Sequence, residues 1–131
     1  MPVLYSIDGD KRLVRTRCVG QVTLEEVVDH FRTLVQDPDC PSNPDVFLDL
    51  SEMEATSAPM ALQVSRVVLE VKRIQSLVQF GACAILAPVA ALFGMMRMFE
   101  TMAEPYFRTT RTFRDRNEAE QWLSVQQLGR D

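Results

Sequence analysis

The segment Phe47, Leu48, Asp49, Leu50, Ser51 constrains the fold more than any other. It is an apolar run that stops at an acidic and hydroxyl pair, with a helix start only a few positions later. That pattern reads as a buried strand running into the rim of an α/β sheet. In such sheets ligands and partners dock where strands end and the following helices begin. Asp49 to Ala58 is therefore the expected functional edge.

The flanking sequence repeats the theme. Val3, Tyr5 and Ile7 alternate with Leu4 and Ser6, Asp8 to Asp10 supplies a turn, and Leu13 to Val19 forms the second strand of a hairpin. In that strand Val14, Thr16 and Cys18 share a covered face, while Arg15 and Arg17 share the other, expected to be solvated. Thr23 and Glu26 have the spacing of a capping box and predict a helix start. Leu24, Val27, Val28, Phe31, Leu34 and Val35 supply its buried stripe. Three prolines between Asp37 and Pro44 end that helix in a loop.

After the central strand, Ser57 suits a helix N-cap with Pro59 in the first turn, and the helix should run to about Gln75. Val78 to Ala87 reads as a second buried strand, Pro88 as a break, and Val89 to Ala103 as a third helix. Arg108 to Phe113 alternates as an edge strand does, and Asp115 with Glu118 opens a last helix. The order predicts an α/β fold: a mixed, mostly parallel sheet of about five strands with about four helices. Residues 1–125 form one domain, and 126–131 a frayed tail.

Fourteen basic and eighteen acidic side chains leave a net charge of -4, against the basic excess that phosphate-backbone binders carry. No nucleic-acid partner is expected. No basic flank followed by a long apolar segment opens the chain, so a cytoplasmic location is expected. Ala82 to Phe93, the longest apolar stretch, is too short to cross a bilayer and contains Pro88, so no integral membrane association is expected. Cys18, Cys40 and Cys83 are widely spaced and odd in number, which predicts free thiols.

Catalytic chemistry finds few candidates. His30 is the only histidine and falls on the polar side of the first helix beside Glu26 and Asp29, where a solvated side chain is expected. One histidine and scattered thiols offer no metal site. Five glycines contain no phosphate-binding pattern, and no cofactor is expected. Asp49, Glu52 and Glu54 lie close in sequence but read as turn and cap residues. Met95, Met96, Met98 and Met102 make the third helix apolar nearly all round, and a face left over after covering the sheet would meet a second subunit, a lipid-like ligand or a partner protein.

This element order, with Phe47 to Ser51 ahead of a helix, resembles the STAS domain of bacterial anti-sigma-factor antagonists. Gly81 to Leu86, then Phe93, Gly94, Arg97, Phe99 and Glu100, then Phe113, Asp115, Glu118, Ala119, Trp122 and Leu123, resemble the STAS-like family. That family is related to the sporulation anti-sigma-factor antagonist and is also grouped with Sec14-like lipid-binding domains. The resemblance implies a non-catalytic regulatory or protein-interaction module. Antagonists of this type carry an Asp-Ser-Ser-Gly run after the central strand, one serine of which is phosphorylated. The corresponding stretch here, Glu54 to Pro59, offers Thr56 and Ser57. Asp49, Ser51, Thr56 and Ser57 are thus the candidate phospho-acceptor or partner-binding residues. The Sec14-like grouping implies the alternative, binding of a small apolar or lipid-like ligand. Leu92, Phe93, Met96, Phe99 and Met102 are the candidate lining for that ligand, or the face of a homodimer.

Overall fold

The computed structural model describes residues 3–54 and 61–129. Strand β1 (Val3–Asp8) pairs antiparallel with β2 (Leu13–Gly20). Their connection needs Arg12 at a φ of 52°, in the left-handed region. The Arg12 carbonyl accepts the Asp45 backbone N–H at 2.8 Å, which ties the hairpin to the next strand. Strands β3 (Asp45–Met53), β4 (Phe80–Leu86) and β5 (Phe107–Phe113) follow in spatial as well as sequential order. All neighbours from β2 onward are parallel. The result is the expected α/β fold, with the two central strands β3 and β4 side by side.

The helices are α1 (Leu24–Gln36), α2 (Ala61–Ile74), α3 (Ala90–Met102) and α4 (Arg116–Leu128). Because each crossover steps to the adjacent strand in the same direction, one handedness places α1, α2 and α3 on one face. Phe31, Leu34, Val64, Val71, Leu92 and Phe99 of those helices pack with Val14, Val46, Cys83 and Ile85 of the sheet. The last helix, α4, closes the other face, where Ala119 and Leu123 meet Phe47, Ala82, Ala84 and Leu86. Every residue of β4 is buried, as a strand covered on both faces must be. Its alanines point toward α4, and their small side chains let that helix approach closely.

Local chemistry explains the helix ends. Thr23 Oγ1 accepts the Glu26 N–H at 3.2 Å, and Glu26 Oε1 accepts the Thr23 N–H at 2.9 Å, completing the capping box. Asp115 accepts the Glu118 N–H at 3.0 Å at the start of α4. The anticipated Ser57 cap and Pro59 lie outside the described residues. Helix α4 continues to Leu128, into the segment expected to fray, and Gln127 Nε2 donates to the Lys11 carbonyl at 2.8 Å.

The arginines of β2 are not merely solvated, as the sequence suggested. Arg15 forms a two-pronged pair with Glu120 of α4 at 2.9 and 3.0 Å and lies 5.0 Å over the Phe47 ring. Arg17 pairs with Glu52 at 2.7 Å. Across the helix layer, buried Glu70 of α2 takes Arg32 of α1 at 3.4 Å and Arg73 of its own helix. The Arg73 hydrogen bond does most to hold the Glu70 carboxyl below the usual range. Among the described residues no helix is long and apolar enough to cross a membrane.

Candidate functional site

Between the β1–β3 side of the sheet and the three-helix layer, packing leaves a cavity of about 520 Å³. That volume is in the range of sites that enclose small molecules, roughly 300–1,000 Å³. Thr16 and Cys18 of β2, with Leu48 and Leu50 of β3, form its sheet wall. Val27, His30 and Phe31 of α1 and Val64 and Val67 of α2 form the opposite wall. Leu92, Met96 and Phe99 of α3 close one side. Short side chains at positions 16 and 18 leave room beneath α1.

The cavity lies at the carboxyl ends of the parallel strands, the end at which open α/β sheets take ligands. Gly20 ends β2 at a φ of +68°, which glycine adopts without strain. The chain then turns through Val22 and Thr23, which line the cavity along with Met53 and Gln63. The described part of the expected edge, Asp49 to Glu54, and the cavity therefore share one end of the sheet.

His30 overturns the expectation of a solvated side chain, since only 9 % of its surface is exposed. The buried side of α1 is turned toward His30, Phe31 and Leu34, while Val28 faces an outer groove shared with Arg66 and Leu69. The imidazole stacks edgewise on Tyr5 at 5.4 Å, and its Nε2 lies 3.2 Å from Thr16 Oγ1. Its Nδ1 is buried with no hydrogen-bond partner among the described residues. Burial lowers its pKa to about 4, so the ring is neutral at physiological pH. Burial likewise pushes the Cys18 thiol up to about 12, with Asp49 and Glu26 adding to the rise. At physiological pH the site therefore presents a protonated thiol and a neutral imidazole.

The sequence-derived candidates divide. Leu92, Met96 and Phe99 come together on the cavity wall. Phe93 does not join them; it lies beneath Arg97 and Arg114, each 5.9 Å from its ring. Met102 is 36 % exposed near the end of α3. Since Leu92, Met96 and Phe99 are buried within this chain, Phe93 and Met102 are the two of the five candidates left for a subunit contact through α3.

Asp49 and Ser51 face the α4 side. Asp49 Oδ1 accepts the Ser51 N–H at 2.9 Å and the Ser51 hydroxyl at 2.6 Å, and Oδ2 pairs with Arg116 at 2.7 Å. Burial alone would raise the Asp49 pKa, but the Ser51 and Arg116 bonds together hold it below the usual carboxylate range. The cluster ties α4 to β3. Thr56 and Ser57 lie outside the described residues.

Thr16, Cys18, Leu48, Leu50 and His30 were not among the sequence candidates for the site. Signals for two of them existed. Thr16 is the polar residue on the covered face of β2, and His30 falls three positions after Val27 and four before Leu34, beside the apolar stripe. Among the described residues no three His, Cys, Asp or Glu side chains gather to hold a metal ion. No family model matches the sequence, and no curated protein proves similar to it.

Proposed function

We propose that this chain is a non-catalytic module that binds a small, mostly apolar ligand inside its α/β core. The single observation that carries the reading is the 520 Å³ cavity, walled by aliphatic, aromatic and methionine side chains and holding a buried polar pair. A well-packed interior has few voids larger than a water molecule, and a cavity this size in a small domain leaves many dispersion contacts unmade. A ligand would restore them. Addition of N-phenylnaphthylamine, a neutral dye that brightens in apolar surroundings, is expected to give a saturable signal at one dye per chain. Absence of uptake, with no co-purified small molecule in native mass spectrometry, overturns the proposal.

A second reading, a regulatory protein-interaction module of STAS-like type, is supported by the succession of elements: a hairpin followed by parallel strands and helices in strict alternation. In that reading Thr56 or Ser57 receives a phosphate, adding about two negative charges that switch a docking surface. Incubation with cell extract and ATP, then mass spectrometry, tests it; phosphate on neither residue removes this version.

A further inference from the structure

We infer that the cavity selects a neutral ligand, an apolar body carrying an oxygen acceptor that is anchored on the Thr16 hydroxyl, and rejects ionised fatty acids. The inference rests on the ligand-binding reading above and adds the chemical class of the ligand.

The wall supplies the first part. Among the described residues, no lysine, arginine, aspartate or glutamate lines the cavity. An ionised carboxylate drawn into such a space loses its hydration and gains no counter-charge, which is among the costliest transfers in protein chemistry. A fatty acid could instead leave its head at the mouth, where Glu26, bonded to Thr23, is a like charge. Arg17, the cation nearest in sequence to Cys18, is engaged by Glu52 at 2.7 Å.

The polar pair supplies the second part. A buried N–H without an acceptor is rarer and costlier than a buried lone pair without a donor. Because His30 Nδ1 has no partner among the described residues, the bonding favours the tautomer with the proton on Nε2. Nε2–H then donates to Thr16 Oγ1 across 3.2 Å. The Thr16 hydroxyl hydrogen is left to donate in turn, and Thr16 makes no other side-chain bond among the described residues. The group it fits is an oxygen acceptor: a ketone, an ester carbonyl, an ether or an alcohol oxygen. Thr16 is only 1 % exposed, so that group reaches the hydroxyl by a small outward movement of the wall, while the apolar body fills the space toward Val64, Val67 and Met53.

Competition against bound N-phenylnaphthylamine at about pH 8, where a fatty acid is ionised, tests this. Decanol and the ketone 2-undecanone are expected to displace the dye at concentrations about tenfold or more below decanoate. Thr16→Val, which keeps the shape and removes the hydroxyl, is expected to retain dye uptake while weakening decanol and 2-undecanone by roughly fivefold to tenfold. Gln63→Lys, on an exposed position of the mouth, is expected to strengthen decanoate and leave decanol unchanged. Decanoate binding as tightly as decanol to the unaltered protein overturns the neutral-ligand inference. Unchanged decanol affinity in Thr16→Val overturns the anchor. Failure of the dye, the alcohol and the ketone alike is a different result, and overturns the ligand-binding reading itself.

Discussion

At the scale of single residues, His30 carries the clearest consequence for pH. Its folded pKa of about 4 lies below the ordinary 6.5, so as pH falls the unfolded chain takes up the proton first. The stability gained by keeping the ring neutral is complete above about pH 6.5 and is lost progressively down to about pH 4. A shift of this size corresponds to roughly 3 kcal/mol. The titratable groups nearest the ring are Tyr5, raised to about 12 chiefly by its bond to Asp37, and Cys18, also near 12. Both stay neutral through the window. Asp49 and Glu70, held below the ordinary carboxylate range, begin to lose their contributions as pH falls toward the ordinary values of 3.8 and 4.5, so they add to the loss only at the foot of this window. Urea unfolding across pH 7 to 4 should show this loss in the unaltered protein and a flatter profile in His30→Gln. An equally steep profile in both would refute the assignment. A helical pattern alone could not place this residue. Position 30 borders the apolar stripe, and the contacts with Tyr5 and Thr16 that draw it inward come from strands far off in sequence.

At the scale of elements, the local signals were strong. Thr23 with Glu26 and Asp115 with Glu118 mark the starts of α1 and α4 because capping is decided within four residues of chain. Thr23→Ala should cost about 1 kcal/mol in chemical denaturation, with helical signal lost at the start of α1. No measurable cost would mean that the cap is redundant with tertiary packing. The uninterrupted apolar run of β4 announced a strand covered on both faces, and β4 is buried throughout. Less legible was which face of each strand meets which helices. Asp49 and Ser51, expected at a docking rim, turn to the α4 side, where they brace Arg116. That outcome depends on the phase of β3 relative to the sheet, and a one-residue change of phase would exchange the two faces.

At the scale of the whole molecule, fold class was readable because alternating strands and helices in one short chain have few ways to bury their apolar faces. The cavity was not, since a void is what remains when side chains from six elements fail to fill the space between them. Of the five apolar candidates, Leu92, Met96 and Phe99 share the helical face turned to the interior, whereas Phe93 and Met102 fall on other faces of α3. If the void is a binding site rather than a packing defect, filling it should separate stability from function. Val27→Phe is expected to raise stability by about 0.5–2 kcal/mol and to abolish N-phenylnaphthylamine uptake. Retained uptake would place the dye elsewhere. The most direct measurement is a methyl NMR titration of the unaltered protein with decanol. Saturable shifts confined to Leu48, Val64, Val67 and Leu92, with Leu13 and Leu123 on the α4 side unmoved, are the predicted result; no shifts, or shifts centred on the α4 side, would contradict a ligand site in the core.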